Sequence, residues 1–392
     1  MRIGFGPLFG LIFLVDVEQS SAFSPFVYER PLAPEDIIDR DVEAGRLTAH
    51  ALSGRVVRLV APRRYGKTSL LGRVLRDASE SGLSTVFIDF DGVVSAADVA
   101  IRLERAYADQ LVEPLRQRVA DWFLASGLGL SLGALGLSVS FQSDPGRSAT
   151  PALEALMEVP ARAAREAGGR MLVVFDEFQE ILAINSVDGI MRSRIQHQGD
   201  AVSYIFSGSE PGMMRRLFED RARPLYGQAV PERLDRLADA DIGPYVEGRF
   251  RWSGASAAEV LPSLLSRAEG HPQRAMLLAD ALWVHTPAGE QATAATWAAA
   301  LDHVWRATDR EFRERWRALS ANERRALKAT IISDGTPFRA KALAAVDLPK
   351  GGAAERAIEG LVDGGELEQL GRGRYRPVDP LFARWISRTS SG

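Results

Sequence analysis

Lysine is rare in this chain, and its placement singles out one side chain for chemistry. It occurs only at Lys67, Lys328, Lys341 and Lys350, while every other basic residue is arginine. Exposed salt bridges accept either residue, but a compact ammonium on a flexible stem is not interchangeable with a planar guanidinium where a narrow loop must hold phosphate. Lys67 is therefore the first candidate for a chemical role.

Lys67 lies in the run Ala-Pro-Arg-Arg-Tyr-Gly-Lys-Thr, whose spacing matches the phosphate-binding Walker A motif with alanine in place of the first glycine. The run falls between a predicted strand and a predicted helix, where backbone N–H groups and the helix N-terminus converge on phosphate. Gly66 permits close backbone approach, Lys67 reaches the β- and γ-phosphates, and the Thr68 hydroxyl binds Mg²⁺. The predicted nucleotide-binding residues of this run are Ala61, Pro62, Arg63, Arg64, Tyr65, Gly66, Lys67, Thr68 and Ser69.

An acidic pair follows the apolar segment MLVVF. Asp176 is predicted to hold the Mg²⁺ shell, and Glu177 to orient and polarise a water that attacks the γ-phosphate. Acids at strand ends also cap helices, and that alternative reading assigns the pair to the helix that follows. The upstream lysine favours the catalytic reading.

Two serines follow the apolar segment VSYIF. Ser207 and Ser209 are both candidates to sense the γ-phosphate or the water, and the alternative is a serine cap on the next helix. A later helix begins with Gly270, His271 and Pro272. Their backbone either closes over the adenine of a bound nucleotide or has only the structural role of starting the helix. The candidate arginines for stabilising transition-state charge are Arg192, Arg194, Arg221 and Arg223.

The elements that position these residues alternate between strand and helix. Four segments read as buried strands: residues 55–60, 84–90, 171–176 and 202–206. Residues 34–53 and 96–126 read as helices. This βαβ order predicts an α/β fold with a parallel sheet. Residues 128–141 alternate Gly or Ser with apolar residues and predict a hairpin or loose strand pair, and mostly helical patterns then run from Ser209 to residue 319.

From Ala321 the pattern changes to three short helices and a hairpin, which predicts a winged helix. The expected domains are an N-terminal extension (1–25), a P-loop core (26–235), a helical lid (236–319) and the winged helix (320–392). The apolar run at residues 3–15 is too short to span a bilayer. It reads as an unstructured extension, as an element packed on the body, or as a membrane or export signal.

Composition narrows the function classes. The 392 residues carry a net charge of −3, no cysteine and five histidines, which excludes disulfide frameworks and cysteine nucleophiles and disfavours histidine-built metal centres. No overall basic field holds the chain on nucleic acid or on an anionic membrane. The segment from Ser320 onward is mildly basic, with 12 Lys+Arg against 9 Asp+Glu. We expect a cytoplasmic protein with no stable membrane insertion.

Together these segments resemble the archaeal-type ATPases of the STAND group of AAA+-related P-loop proteins. The resemblance covers about residues 26–386 and is most specific in PRRYGKTSLL and FDEFQEI. It implies ATP as the nucleotide, a P-loop sheet with an additional strand, a helical lid and a C-terminal winged helix. It also implies that Arg40 contacts the nucleotide and that Pro272 lies beside the adenine. Ala61 departs from the usual glycine.

Three function classes follow. The first is a Mg·ATP-binding switch with slow hydrolysis, working on a protein partner or by self-association. The second is a DNA-binding ATPase that reads through the winged helix, where period-two spacing puts Arg372, Arg374 and Arg376 on one face. The third, phosphotransfer to a small molecule, lacks a visible acceptor-binding signature.

Overall fold

The computed structural model describes residues 24–125 and 149–389. The apolar run at residues 3–15 and the hairpin predicted at residues 128–141 lie outside these ranges. None of the helices within them is both long and apolar enough to cross a membrane.

A five-stranded parallel sheet forms the centre of the N-terminal part. Strand β4 lies between β1 and β3, so the strand that precedes the phosphate loop is separated from the strand that carries the acids, in the order β2-β3-β4-β1-β5. This is the additional-strand arrangement that the resemblance implies. The strands are β1 (Val56–Val60), β2 (Ser84–Asp89), β3 (Met171–Asp176), β4 (Val202–Gly208) and β5 (Val230–Arg233).

Helices cover both faces of the sheet, as the fully buried strand β3 requires. Its residues Leu172 and Val174 pack on the face covered by α1 (Asp41–Leu52) and α2 (Lys67–Glu80). Val173 and Phe175 pack on the opposite face. That face is covered by α3 (Ala96–Gln110), α4 (Leu115–Ala125), α5 (Thr150–Glu166), α6 (Val187–Ile195) and α7 (Pro211–Phe218).

The sequence patterns placed the four strands β1 to β4 correctly and missed β5. This strand is short, contains Pro231 and alternates partly buried with exposed residues, so it lacks the apolar run that marks the others. Two helices also differ from the expectation. The predicted helix at residues 34–53 begins only at Asp41, and the predicted helix at residues 96–126 is broken into α3 and α4 near Pro114.

The C-terminal half is almost entirely helical. Four helices follow the sheet: α8 (Asp239–Phe250), α9 (Leu261–Ala268), α10 (Pro272–His285) and α11 (Ala294–Ala318). The remaining chain has the predicted order of three helices and a hairpin, followed by one more helix. These elements are α12 (Ala321–Ile332), α13 (Ala340–Ala345), α14 (Gly352–Asp363), the antiparallel pair β6 (Leu367–Gly371) and β7 (Arg374–Pro377), and α15 (Pro380–Thr389).

One continuous hydrophobic cluster joins the four helices of residues 239–318 to the C-terminal elements. Phe312 of α11 contacts Phe382 and Trp385 of α15, with ring centroids 5.4 and 6.2 Å apart. Ser320 caps α12 through a reciprocal capping box with Glu323, which fixes where the chain turns between the two parts. The domain boundary at 319/320 remains a prediction.

The C-terminal elements also contact the sheet domain directly. Helix α14 lies against α7, where Arg215 pairs with Asp363. A β-carbon built on Gly212 would approach the Asp363 Cα to 2.7 Å and its Cβ to 2.4 Å, so this contact requires glycine.

We therefore expect Gly212→Ala to destabilise the protein by about 1–3 kcal/mol, because the added methyl group must push α14 off α7. Gly45 in α1 is the matched control, since a β-carbon there meets nothing within 4 Å. Gly45→Ala should stabilise by about 0.5–1 kcal/mol through helix propensity. Urea unfolding midpoints of both variants test the contact, and shifts of the same sign would refute it.

Candidate functional site

The loop between β1 and α2 has the shape of an anion cradle. Arg64 and Gly66 both adopt positive φ angles, 67° and 81°, and helix α2 begins directly at Lys67. Within the described residues, none of the backbone N–H groups of residues 64–68 donates to a backbone acceptor. A helix N-terminus with free N–H groups attracts phosphate through hydrogen bonds and the helix dipole.

The Lys67 side chain is buried, with 6% of its surface exposed, and lies between two carboxylates. Its Nζ contacts Asp176 Oδ1 and lies 3.0 Å from Glu177 Oε1. A buried ammonium is tolerated only when it is paired and hydrogen-bonded. The ion pairs therefore join the loop to the end of β3 and bring together two motifs 109 residues apart.

Thr68 and Asp176 form the pair expected for a metal. The Thr68 Oγ1 donates to Asp176 Oδ2 at 2.9 Å. A hydroxyl and one carboxylate, with space for water and phosphate oxygens, is the donor set that Mg²⁺ takes in phosphate sites, because the ion keeps several waters. These residues fit a magnesium ion.

Glu177 is held by three neighbours and by an unusual backbone. Its φ of 47° places it in the left-handed region. Besides Lys67, its carboxylate accepts from Ser209 Oγ at 2.7 Å and from Gln179 Nε2 at 2.5 Å, both at Oε2. Burial alone would raise the pKa of Glu177, but Lys67, Gln179 and Ser209 together lower it. The group is an oriented carboxylate at neutral pH.

The structure separates the two candidate serines. Ser209 lines the cleft and touches Glu177, whereas Ser207 is fully buried on β4 and does not line the cleft. The parallel register pairs Phe175 with Phe206, so Ser207 follows beside Asp176 on the face that carries α2. Its Oγ has no hydrogen-bond partner within the described residues. Ser209 is thus the serine placed for contact with a ligand or water.

A cleft of about 570 Å³ opens beside this cluster. Its far wall is the segment before α1 and the first turn of α10, including Pro272, and its apolar members suit a nucleobase. Arg40 also lines it; that residue is 4% exposed, has a φ of 88° and donates to Glu43 and to the Asp235 carbonyl. The apolar lining at this end comprises Val27, Ile37, Ile38, Leu237, Pro272 and Met276.

The predicted residues divide between the cleft and its support. Arg63, Arg64, Tyr65, Gly66, Lys67, Thr68 and Ser69 line the cleft with Arg40, Asp176, Glu177, Ser209 and Pro272. Ala61 and Pro62 do not. Ala61 is fully buried, and its N–H donates to the Gly208 carbonyl at 3.3 Å, so its methyl group packs into the core below the loop.

None of the four candidate arginines lines the cleft of this chain. Arg192 donates to Gln196, Arg194 pairs with Glu154 and Glu158, and Arg223 pairs with Asp188. Arg221 is exposed.

Sequence reasoning missed several residues of the site. Gln179 is fully buried, donates to the Glu177 carboxylate and accepts from the Ser209 N–H. The sequence feature that could have identified it is the single amide side chain in FDEFQEI. Asp89 ends β2 directly beside Asp176 in the register and lines the cleft. Its signal was the acid at the end of STVFID, the same pattern that singled out Asp176.

His271 connects the lid to the phosphate loop. It caps α10 by accepting from the Arg274 N–H at 3.3 Å, and its ring packs on Tyr65 with centroids 4.9 Å apart. The preceding Gly270 has a φ of 73°, and a β-carbon there would come within 2.4 Å of the Leu237 carbonyl. The Gly-His-Pro turn is therefore a close-packed junction as well as a helix start.

Comparisons with known proteins agree with this fold. A family described as an AAA-like domain matches residues 31–104, which contain the phosphate loop but are well under half of the chain. The Walker-type ATPase PABY2304 of Pyrococcus abyssi is structurally similar, with a TM-score of 0.67 at 18% identity, over 92% of this chain and 99% of that one. No curated protein matches the chain at a significant level.

The ORC2 protein of Aeropyrum pernix is also similar in structure. Its ADPNP–ADP complexes give a TM-score of 0.55 at 16% identity, over 93% of this chain and 98% of that one. Its ADP form gives 0.53 at 15% identity, over 93% and 96%. Likeness at these identities shows the fold, and the chain has the α/β fold of the P-loop NTPases, followed by a helical C-terminal region.

Stability should fall with acidity because of His271. Burial lowers the pKa of His271 to about 3, whereas the unfolded chain binds that proton near pH 6.5. Between these values the unfolded state holds more protons, so the free energy of unfolding decreases as pH falls, by at most about 1.4 kcal/mol per pH unit.

Urea unfolding at pH 7 and pH 5 measures this effect. His271→Asn, which keeps a helix cap but does not titrate, should lose part of the pH dependence. His197→Asn is the control, because His197 is exposed. Equal pH slopes for His271→Asn and the unmodified protein would contradict the assignment.

Proposed function

We propose that this protein binds ATP with Mg²⁺ in the cleft, hydrolyses it slowly and acts as a nucleotide-gated regulatory switch of the STAND type. The observation that carries the proposal is the convergence of Lys67, Thr68, Asp176, Glu177 and Ser209 beside a loop with free N–H groups. Each group has a recognised task in phosphoryl transfer to water.

The residues divide the reaction between them. The loop N–H groups and Lys67 bind the phosphates, and Lys67 leaves its carboxylate partners to do so. Thr68 and Asp176 would hold Mg²⁺, which supplies charge neutralisation at the phosphate oxygens when bound. Glu177 orients the attacking water, and Ser209 is placed to contact that water or the γ-phosphate.

The contacts of Glu177 support slow turnover. Its Oε2 is engaged by both Ser209 and Gln179, and its Oε1 by Lys67, so both oxygens have partners. With three of its roughly four lone-pair sites taken, the carboxylate has little capacity for a water unless one of these bonds is exchanged. A reorganisation of this kind before each turnover suits a switch better than a fast hydrolase.

The gating role follows from how the C-terminal elements meet the site. Arg64 of the loop pairs with Glu311 of α11, and α14 packs on α7, which begins two residues after Ser209. Nucleotide that favours one arrangement of these contacts would shift the equilibrium between arrangements. The output is a protein partner or self-association, in the cytoplasm.

The contacts of the C-terminal elements do not favour DNA reading. Arg376 is paired with Glu368 at 2.8 Å, so the expected face of three arginines is not free. The exposed charges of α14 are Glu355, Arg356, Glu359 and Asp363, which is net acidic. Transfer to a small molecule also gains no specific support, because the acid nearest the phosphates is placed for water.

Two substitutions separate binding from hydrolysis. Lys67→Ala should abolish ATP binding, because it removes the phosphate contact and leaves Asp176 buried without its cation. Glu177→Gln should bind Mg·ATP with little change and lower the hydrolysis rate by roughly a hundredfold or more. Calorimetry with a nonhydrolysable analogue and phosphate release under excess ATP give the two readouts.

Matched controls are available within the chain. Lys341→Ala removes an exposed lysine, and Glu180→Gln removes the acid three residues after Glu177 that does not line the cleft. Both should bind and hydrolyse normally. Hydrolysis at the unmodified rate in Lys67→Ala or Glu177→Gln, or calorimetry without heat for the unmodified protein, would refute the site.

Binding of the full chain to duplex DNA tests the alternative. We expect no specific affinity and no steep dependence on salt concentration. Affinity that falls steeply with salt and is lost in Arg372→Ala/Arg374→Ala would establish DNA reading instead.

A further inference from the structure

Tyr65 belongs to the phosphate loop by sequence, yet its hydroxyl is bound by the C-terminal hairpin. The side chain is 1% exposed, and its hydroxyl donates to Glu368 Oε1 of β6. The two residues are 303 positions apart. Tyr65 lies between Arg64 and Gly66, the two loop residues with positive φ angles, so its position bears on the shape of the phosphate cradle.

Glu368 is firmly held on the hairpin side. Arg236 Nε lies 3.2 Å from its Oε1, and Arg376 Nη2 lies 2.8 Å from its Oε2. Arg236 in turn donates to the carbonyls of Pro377 and Val378 at 2.6 and 3.0 Å. Burial alone would raise the pKa of Glu368, but the Tyr65 hydroxyl and the two arginines lower it. The acceptor offered to Tyr65 is therefore a fixed carboxylate.

Arg64 makes a weaker long-range contact than Tyr65 does. It lies 3.2 Å from Glu311 of α11, but its side chain is 49% exposed, and exposed ion pairs contribute little. Tyr65 and Glu368 are mostly buried. A buried hydrogen bond to a charged acceptor stabilises more than an exposed ion pair does, and its loss leaves a buried carboxylate with one partner fewer.

The hairpin does not line the cleft, so Glu368 reaches the phosphates only through Tyr65. The docked loop has free N–H groups at residues 64–68, which is the shape that phosphate requires. The docked hairpin thus stabilises the binding-competent loop. Without this hydrogen bond the loop has one restraint fewer, and part of the binding energy must be spent on ordering it.

We propose that Glu368 is a positioning residue of the nucleotide site, which holds the phosphate loop in its binding shape through the Tyr65 hydroxyl. The nucleotide and the C-terminal hairpin are then coupled through one hydrogen bond. By linkage, the factor by which hairpin docking tightens nucleotide binding equals the factor by which nucleotide tightens docking. This inference rests on the proposed function, because it concerns affinity at the same site.

Tyr65→Phe and Glu368→Gln test the hydrogen bond in the full-length protein. We expect each to raise the dissociation constant for Mg·ADP roughly threefold to tenfold, with the double variant no weaker than the single ones. Glu368→Gln should change the rate of ATP hydrolysis at saturation less than twofold, since Glu368 lies outside the cleft. A loss of global stability alone would not produce this division between affinity and rate.

Hydrogen exchange provides the reciprocal readout. Amides of β6 and β7 should exchange more slowly when Mg·ADP is bound, and Tyr65→Phe should abolish that protection. Glu359→Gln on α14 and Arg374→Ala on β7 are matched controls, because both side chains are exposed and outside the cluster. They should leave the affinity and the exchange unchanged.

The outcomes separate this inference from the proposed function. If the unmodified protein binds no nucleotide, the proposed function fails and the coupling fails with it. If it binds and hydrolyses ATP while Tyr65→Phe and Glu368→Gln stay within twofold of its affinity, only the positioning role is overturned. The positioning role is also overturned if the effects add in the double variant, or if Mg·ADP does not change the rate of hydrogen exchange at the hairpin amides.

Discussion

The buried ammonium of Lys67 is the constraint on which the site depends. A charge this far from water must be compensated, and the only described carboxylates within salt-bridge distance are Asp176 and Glu177 at the end of β3. The compensation holds α2 against the sheet edge, and Lys67 helps to lower the pKa of Glu177. In the proposed function, phosphate oxygens replace these carboxylate oxygens around the same cation.

The parallel register converts this pairing into a site. Because β2, β3 and β4 end at one edge, Asp89, Asp176 and Ser207 fall side by side on the face toward α2, and Ser209 comes one step beyond to meet Glu177. The insertion of β4 between β1 and β3 sets the distance between loop and acids. Local chemistry thus depends on strand order, which no single motif encodes.

Much of this was predictable where chemistry and periodicity coincide. The phosphate loop, the acids after MLVVF and the inner strands each carry a local signature, so their types and approximate places followed from the sequence. Ser207 and Ser209 could not be separated, because both follow the same strand and only the register decides which one faces the cleft. Arg376 was expected on a free face, but its partner Glu368 is across the hairpin, and the contact between Tyr65 and Glu368 spans most of the chain. Contacts of that range follow from tertiary packing alone.

One hydrophobic cluster is shared by the four helices of residues 239–318 and the C-terminal elements, and it restricts how these parts can move. Helices that share buried aromatic residues such as Phe312, Phe382 and Trp385 cannot separate without exposing that surface to water. Phe26, ahead of α1, packs into the same cluster against Phe250 and Trp283. The chain on both sides of residue 319 therefore shares one core, and Phe26 joins the segment before α1 to it. Loss of any one of these elements would uncover apolar surface on the others.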